Sequence, residues 1–346
     1  KGIKSKKKIR KSKIFYKNLF LPGTKLNFGQ NLLSKNNDEK AITFISENGF
    51  REERSWKKLN FNTASIIQFL KQIRIVKGDR VAAYMPNCIE TVEAFLATTS
   101  IGGIWSSCSP DFGANGVIER FSQIKPKILF ITDQYFYNGK KINIIERLSE
   151  ILKQIPSIKN VVVVSYPGNK FLKNSKKFKK QKLFKWTDCI SKNPQEIKFK
   201  MYDFENELAI LYSSGTTGKP KCICHRTGGV LVQHKKEHRL HCDIKEGDNV
   251  FYFTTCGWMM WNWLISVLAS KASILLFDGS PTYKSKDLLL KIAEKEKITL
   301  LGVSAKYIDA LRKFKPNLKF KFKLNKLKTI CSTGSPLSND GFKYVY

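Results

Sequence analysis

The chain has 346 residues, of which 42% are hydrophobic, so it is long enough to bury one large core or two ordinary ones. Its 62 Lys and Arg against 28 Asp and Glu give a formal net charge of +34, which at face value suggests a polyanionic partner. Eight cysteines without paired spacings exclude a small disulfide-stapled fold, and we expect reduced thiols in a cytoplasmic protein.

The basic charge comes mostly from lysine and is clustered in three stretches, at residues 1–13, 170–185 and 313–328. Base readout on nucleic acids depends on arginine more than on lysine, and no nucleic-acid-binding motif accompanies the charge. We therefore interpret the lysines as solvated surface. A basic nucleic-acid-binding module stays open as an alternative of a different class.

The predicted elements begin after a basic, breaker-rich linker segment at residues 1–40. Short apolar runs then alternate with amphipathic stretches, which predicts strands and helices in turn. The predicted strands are residues 41–46, 80–85, 127–132, 160–164, 207–212, 250–253 and 272–277. The predicted helices are residues 62–72, 90–101 and 228–240, and residues 169–185 form a lysine-rich insertion.

This alternation predicts an α/β fold in which layered mixed or parallel sheets are flanked by helices. Residues 41–346 are expected to form one large domain, with a candidate subdomain boundary near residue 200. The most apolar window, residues 258–277, contains Asn262 and Lys271. It therefore predicts a buried helix followed by a strand rather than a membrane span.

The most informative motif is the run Leu-Tyr-Ser-Ser-Gly-Thr-Thr-Gly-Lys-Pro-Lys at residues 211–221. Its glycines let the backbone turn N–H groups toward an anion, and its hydroxyls and lysines supply further donors. A Walker A loop is excluded, because Gly215 and Gly218 are too close together and Pro220 follows Lys219. The run predicts a phosphate-binding loop of another kind, at a strand-to-helix junction.

A second motif invites a metal hypothesis. His234, Glu237 and His238 match the H-x-x-E-H pattern of one class of zinc peptidases, on a predicted helix. The nearby Cys-x-Cys-His run at residues 222–225 lacks the usual ligand spacing. We therefore interpret the histidines as part of a solvated helix face and predict no resident metal.

Residues 211–221 closely resemble the phosphate-loop signature of the acyl-adenylate-forming superfamily, and four further runs resemble its acetoacetyl-CoA synthetase branch. These are Leu-Pro-Gly-Thr-Lys-Leu-Asn (21–27), Ile-Trp-Ser-Ser-Cys-Ser-Pro-Asp-Phe-Gly (104–113), Thr-Thr-Cys-Gly-Trp-Met-Met-Trp-Asn (254–262) and Cys-Ser-Thr-Gly-Ser-Pro-Leu-Ser (331–338). The second and third runs distinguish this branch from the acetyl-CoA synthetases. The resemblance extends over nearly the whole chain and implies the large N-terminal domain of that fold.

The resemblance implies a reaction in two steps. A carboxylate attacks the α-phosphate of ATP to give acyl-AMP and pyrophosphate, and the thiol of CoA then attacks the acyl-AMP. By matching position, the implied phosphate-binding residues are Ser213, Ser214, Gly215, Thr216, Thr217, Gly218 and Lys221, and the implied adenine-binding residues are Gly334, Ser335 and Pro336. Thr216 and Lys221 would act in catalysis, and Mg²⁺ would arrive with ATP and lie near Thr217.

The same resemblance implies that Trp258, Met259 and Met260 line the acyl pocket and the entrance for the thiol. A flat indole and two adaptable thioethers suit a small, partly apolar acid such as acetoacetate. Trp261 and Trp263 are interpreted as ordinary core packing. An acetyl- or propionyl-type short-chain acyl-CoA synthetase is the closest alternative.

Members of the superfamily also carry parts that have no counterpart in this sequence. These are an aspartate for the ribose hydroxyls, a hinge, and a small C-terminal domain with a lysine that contacts the reacting groups. We therefore expect the N-terminal part of such an enzyme, without the small domain and unable to complete adenylation by itself. The expected partners are acetoacetate, ATP and CoA, with neither nucleic acid nor a membrane span.

Overall fold

The computed structural model describes residues 1–14, 17–169, 180–213, 218–314, 318 and 321–346. Its strands are β1 Gly2–Ile3, β2 Ile9–Arg10, β3 Leu19–Phe20, β4 Lys25–Leu26, β5 Lys40–Ser46, β6 Arg51–Ser55, β7 Arg80–Tyr84, β8 Ile104–Cys108, β9 Ile128–Thr132, β10 Gln134–Tyr137, β11 Lys140–Asn143, β12 Asn160–Val164, β13 Lys182–Lys185, β14 Tyr202–Asp203, β15 Glu207–Ser213, β16 Lys221–Arg226, β17 Asn249–Tyr252, β18 Ser273–Asp278, β19 Leu300–Ser304 and β20 Thr329–Thr333. Its α-helices are α1 Phe28–Leu32, α2 Trp56–Gln72, α3 Ile89–Ser100, α4 Ala114–Ile124, α5 Leu148–Gln154, α6 Thr227–Lys236, α7 Met259–Ser266, α8 Leu288–Lys295, α9 Ala305–Phe314 and α10 Asn339–Val345. A π-helical turn, Glu237–His241, extends α6, and a 3₁₀ turn, Val267–Ser270, extends α7.

Two large sheets organise these elements. The first has the strand order β13-β12-β9-β7-β8-β15-β16, and the second has the order β20-β19-β17-β18-β5-β6. Neighbouring strands are parallel except at one edge of each sheet, where β16 is antiparallel to β15 and β6 is antiparallel to β5. The predicted α/β fold with mixed sheets is therefore confirmed.

Central strands of both sheets bury both of their faces. Val81 of β7 lies in a core shared by the two sheets, whereas the adjacent Ala82 packs with residues of α4 and α5. In β18, Ile274 lies in the shared core and Leu275 in a core formed with α8 and α9. Because successive side chains of a strand point to opposite faces, the chain forms alternating layers of helix and sheet, with α2, α3 and α7 in the middle layer.

The predicted strands and helices are present with shifted ends. Helix α2 begins at Trp56 rather than at residue 62, because the hydroxyl of Ser55 accepts a hydrogen bond from the N–H of Lys58 and caps the helix. The predicted insertion at residues 169–185 lies largely outside the described residues. Its end forms β13, which adds to the first sheet parallel to β12.

The apolar window at residues 258–277 forms α7, the 3₁₀ turn and most of β18, as predicted. In the part of the chain that the structure describes, no helix combines the length and apolar character needed to cross a membrane. The domain boundaries at residue 40 and near residue 200 stay predictions. The second sheet combines strands from both sides of residue 200.

Candidate active site

Three segments singled out in the sequence follow the carboxyl ends of strands. The phosphate loop follows β15, the segment with Trp258 follows β17, and Gly334 follows β20. In open α/β sheets, ligands bind in the crevice outside the carboxyl ends of the strands. The three segments therefore lie where this architecture places a binding site.

The phosphate loop connects two paired strands. Ser213, the last residue of β15, pairs with Lys221, the first residue of β16. Gly218 has φ of +115°, which lies in the backbone region that favours glycine. Ser213 is half-buried and Lys221 is exposed. The other predicted loop residues lie outside the described residues: Ser214, Gly215, Thr216 and Thr217.

The expectation that this loop lies at a strand-to-helix junction is wrong. β16 runs back along β15 as an antiparallel strand, and α6 begins only after it, at Thr227. β16 has the sequence Lys-Cys-Ile-Cys-His-Arg and is an exposed edge strand. Because neither of its faces is buried, its sequence lacks the apolar pattern that would have predicted a strand. The loop therefore connects two strands that the sheet ladder pairs as a hairpin.

Hydrogen bonds from neighbouring residues hold the chain on both sides of the phosphate loop. Gln123 of α4 donates from Nε2 to the carbonyl of Pro220 at 2.9 Å, at the exit of the loop. Ser106 Oγ lies 3.0 Å from the hydroxyl of Tyr212, which donates to the carbonyl of Arg120 at 3.3 Å. Burial raises the pKa of Tyr212 well above its ordinary value, so this phenol stays neutral.

The acyl segment exposes apolar side chains. Trp258 is the N-cap residue of α7 and is 63% exposed, Met259 is 44% exposed and Met260 is half-buried. By contrast, Trp261 and Trp263 are 0% and 3% exposed, which confirms that they pack in the core. The helix therefore buries one set of aromatics and offers an indole and two thioethers at its start.

Buried hydrogen bonds hold this segment against the first sheet. Ser107 Oγ donates to the carbonyl of Cys256 at 2.6 Å, and Cys256 Sγ donates to the carbonyl of Met85 at 2.9 Å. Gly257 lies close to the end of β8, because a Cβ on it would be 3.4 Å from the backbone nitrogen of Ser109. The segment is thus seated on the carboxyl end of β8.

Asn87 ties the same segment to the second sheet. Its Oδ1 accepts from Trp261 Nε1 at 2.9 Å, and its Nδ2 donates to the carbonyls of Thr254 and Phe277 at 3.2 and 3.3 Å. Its backbone N–H donates to Asp278 Oδ1 at 3.2 Å. Since Asn87 follows β7 and Thr254 follows β17, this contact joins the carboxyl ends of the two sheets.

Asp278 is the buried acid at this junction. Its Oδ2 accepts from the hydroxyl of Tyr166 at 2.8 Å, and its Oδ1 accepts from Asn87. Burial raises the pKa of Asp278 to about 7, although the hydrogen bonds from Tyr166 and Asn87 oppose the shift. The carboxyl group therefore changes charge near neutral pH.

The register of the first sheet brings the phosphate hairpin beside the acyl segment. Ala209 of β15 pairs in parallel with Trp105 of β8. Four residues further along both strands, the same register places Ser213 opposite Ser109. Gly257 of the acyl segment packs against the backbone of Ser109. The structure therefore brings the start of the hairpin and the acyl segment to one edge of the sheet.

The predicted adenine segment lies at the same end of the second sheet. Gly334 has φ of +91°, and Ser335 and Pro336 are exposed. The segment ends where Ser338 caps α10 by accepting a hydrogen bond from the N–H of Gly341. Because β20 is two strands away from β17, about 10 Å separates the strand leading to Gly334 from the strand leading to Trp258.

The expectation that the histidines form a solvated helix face is wrong. His234 and His238 are 5% and 0% exposed, because this face of α6 packs against α7. His234 Nδ1 lies 2.9 Å from Ser266 Oγ, and His238 Nε2 donates to the carbonyl of Trp263 at 3.1 Å. Burial lowers the pKa of His234 to about 4 and that of His238 to about 3, so both rings are neutral.

Among the described residues, no group of three or more His, Cys, Asp or Glu could hold a metal ion.

Sequence reasoning missed the residues that position the acyl segment, namely Asn87, Ser107 and Asp278. Each is a polar residue within or next to the carboxyl end of a buried strand. That placement is the signal that could have singled them out, since such strand ends carry binding sites in α/β folds.

Comparisons with known proteins agree with this architecture. The sequence profile described as AMP-binding enzyme matches residues 31–344. The chain is 43% identical over 327 residues to an acetoacetyl-coenzyme A synthetase of Rhizobium meliloti (strain 1021), an alignment that covers 94% of this chain and 50% of that protein. It is 37% identical over 347 residues to a malonamoyl-CoA synthetase of Penicillium aethiopicum, covering 94% of this chain and 48% of that protein.

A solved structure gives the same result for the fold. The acetoacetyl-CoA synthetase from Streptomyces lividans superimposes with a TM-score of 0.88 at 35% sequence identity, covering 95% of this chain and 50% of that one. The chain therefore spans about half the length of the relatives that it matches.

Proposed function

The chain belongs to the AMP-binding enzyme family, and on that premise we propose that the whole protein is an AMP-forming acid–thiol ligase that converts acetoacetate to acetoacetyl-CoA. In the first step, a carboxylate oxygen of acetoacetate attacks the α-phosphorus of ATP, and pyrophosphate leaves. In the second step, the CoA sulfur attacks the acyl carbon, AMP leaves with the bridging oxygen, and the thiol proton is released. The observation that carries the proposal is the meeting of the phosphate hairpin and the acyl segment at the carboxyl end of β8.

The proposed roles follow the chain path. Backbone N–H groups and hydroxyls of residues 213–218, together with Lys221, neutralise the phosphates of ATP. Residues 334–336 line the adenine pocket. Thr217 is the residue proposed to lie beside a Mg²⁺ ion carried in by ATP, and that ion would supply positive charge to the phosphates. Since the chain spans about half of its relatives' length, the remaining part of the site is proposed to come from the rest of the whole protein.

The acid is proposed to carry a second carbonyl group. Two relatives are named for acetoacetyl-CoA and malonamoyl-CoA, and both acyl groups have a carbonyl two carbons from the carboxylate. The exposed start of α7, with Trp258, Met259 and Met260, offers a small, mostly apolar wall for such a group. All eight cysteines are free, and their positions show no paired spacings. This supports a cytoplasmic location, because thiols stay reduced in the cytosol.

The test is carboxylate-dependent exchange of labelled pyrophosphate into ATP, measured on the whole protein. The acids are acetoacetate, malonamate, acetate, propionate, 3-hydroxybutyrate and butyrate, with a reaction lacking acid as the blank. Butyrate is the matched control, because it has the same carbon chain without the second carbonyl. We expect acetoacetate to give the fastest exchange and butyrate to be at least about tenfold slower.

If acetate or propionate is faster than acetoacetate, adenylation stands and the assignment to acetoacetate is wrong. If no acid supports exchange, the proposal of an acid–thiol ligase is contradicted. Binding to nucleic acid that falls steeply with salt and ignores ATP would instead favour a basic nucleic-acid-binding module.

A further inference from the structure

Two cysteines that are distant in sequence lie side by side. Cys242 follows the π-helical turn at the end of α6, and Cys331 is the central residue of β20. Their sulfur atoms are 4.0 Å apart. The pair therefore joins the end of the α6 segment to β20, the edge strand that leads into Gly334.

The surroundings of the pair differ from those of the other cysteines. Both side chains are half-buried and pack against the core shared by the two sheets. A surface cavity of about 230 Å³ is lined by Cys242 and Thr329 but not by Cys331, so a small oxidant can enter beside Cys242. Cys88, Cys108 and Cys256, by contrast, are buried.

The contact also activates one of the two thiols. A hydrogen bond from Cys331 lowers the pKa of Cys242, and the same contact raises the pKa of Cys331. Among the eight cysteines, all of which lie in the described residues, Cys242 is the one whose pKa is lowered. A thiolate is the reactive form toward peroxides, and Cys242 is also the member of the pair that lines the surface cavity, so it is the sulfur that reacts first.

We propose that Cys242 and Cys331 are a thiol oxidation site, in which a hydroperoxide closes a disulfide between the end of α6 and β20. This disulfide switches off binding of ATP by moving the segment Gly334-Ser335-Pro336. The formation of the disulfide stands on the geometry of the pair alone. The effect on ATP rests on the proposed function, because it requires this segment to contact the adenine.

The chemistry balances with one equivalent of hydrogen peroxide. The Cys242 thiolate attacks one peroxide oxygen, an S–O bond forms, the O–O bond breaks, and the leaving hydroxide takes up a proton to become water. The sulfur of Cys331 then attacks the sulfenic sulfur of Cys242, an S–S bond forms, the S–O bond breaks, and hydroxide leaves with the Cys331 proton as a second water. The two sulfurs lose two electrons and the peroxide gains them.

The bond changes the position of β20 because the sulfurs must approach. A disulfide holds its sulfurs about 2.05 Å apart, so about 2 Å of separation is lost. β20 is the edge strand of the second sheet and is paired on one side, to β19. Among the described residues only one edge of β20 is held by a sheet ladder, so the strand can move toward the end of α6, and Gly334 follows at the end of the strand. Shifts of about 1 Å at a binding group cost large factors in activity.

The experiment uses the whole protein in a background with Cys222→Ser and Cys224→Ser, since these two thiols are exposed and would react with peroxide independently. The protein is treated with hydrogen peroxide, and the disulfide is mapped by mass spectrometry of non-reduced peptides. The affinity for ATP is then measured by titration calorimetry before oxidation, after oxidation, and after reduction with dithiothreitol. Cys242→Ser and Cys331→Ser in the same background are the matched controls.

We expect a cross-linked peptide joining Cys242 to Cys331, an at least tenfold weaker affinity for ATP, and recovery with dithiothreitol. Neither single variant is expected to form the cross-link or to lose affinity. A reduced protein that binds ATP, is oxidised, and shows no such cross-link would overturn the proposal. A cross-link that leaves ATP affinity unchanged would overturn the switch. A reduced protein that binds no ATP would count against the proposed function instead, while the peptide map still decides the oxidation site.

Discussion

Asn87 is the residue on which the geometry of the acyl segment depends most directly. Its side chain and backbone N–H make four hydrogen bonds at the junction of the two sheets, and the side chain is 1% exposed. Two of these bonds hold Thr254 and Trp261, which lie on either side of Trp258. Asn87 is therefore a positioning residue, because it acts through the segment that it holds.

Replacing Asn87 with Ala tests this role. The substitution leaves the indole N–H of Trp261 and the carbonyls of Thr254 and Phe277 without their partner in a buried site. We expect the free energy of unfolding, measured by urea denaturation, to fall by about 2–4 kcal/mol. We also expect the KM for acetoacetate to rise more than the KM for ATP.

Asn193→Ala is the matched control, because Asn193 is exposed. Its free energy of unfolding should change by less than about 0.5 kcal/mol. Equal effects of the two substitutions, or equal changes in the two KM values of Asn87→Ala, would show that Asn87 does not position the acyl segment.

Lys221 and Lys219 offer a second comparison at the residue scale. Both are exposed, but only Lys221 is paired in the ladder of the hairpin, opposite Ser213. Lys221 is the proposed phosphate ligand, so Lys221→Ala should lower acetoacetate-dependent pyrophosphate exchange by about a hundredfold. Lys219→Ala should lower it by less than about threefold. If the two variants lose activity equally, Lys221 has no specific role.

At the scale of elements, burial decides what could be predicted from sequence. β9 and β12 are buried on both faces and are therefore continuous apolar runs, which predicted them almost to the residue. β16 is an exposed edge strand, so its sequence carries no such pattern. The charged residues near His234 and His238 suggested a solvent-exposed helix face. In the structure these two histidines instead pack against α7. The sequence around the histidines could not predict this contact, because α7 lies further along the chain.

In the candidate site, too, some parts could be predicted from sequence and others could not. The phosphate loop and the acyl segment are contiguous runs, so a sequence motif suffices to predict them. The network around Asn87 joins residues that are 167 to 191 positions apart, and their proximity arises only when the two sheets pack. No local pattern could have predicted that Asn87, Thr254 and Asp278 meet.

The packing of the two sheets also predicts a dependence of stability on pH. The pKa of Asp278 is raised by burial from about 3.8 to about 7, so the folded state binds a proton more tightly than the unfolded state. The resulting stabilisation is complete below about pH 4 and is lost as the pH rises toward 7. The contribution of this group should fall by up to about 1.4 kcal/mol per pH unit in that window.

Asp278→Asn removes the titration while keeping the shape of the side chain. The free energy of unfolding, measured by urea denaturation at several pH values, should fall less between about pH 4 and pH 7 in the variant than in the original protein. Identical pH profiles would mean that Asp278 keeps an ordinary pKa in the folded state.

At the scale of the whole molecule, the two sheets place the carboxyl ends of β7, β8 and β15 near those of β17 and β18, so segments from distant parts of the chain meet there. The net charge of +34 favours association with anions, and the proposed substrates ATP and CoA are both anions. We propose that the acyl group of the acid passes to CoA through an acyl-adenylate formed at this junction of the two sheets.

The most direct test is the fate of oxygen during one turnover of the whole protein with ATP, CoA and acetoacetate labelled with ¹⁸O in both carboxylate oxygens. An acyl-adenylate requires that the bridging oxygen leaves with the nucleotide. We predict that mass spectrometry will find one ¹⁸O atom in each AMP and none in pyrophosphate. Label in inorganic phosphate with ADP as the nucleotide product would contradict the account, because it would indicate an acyl-phosphate intermediate.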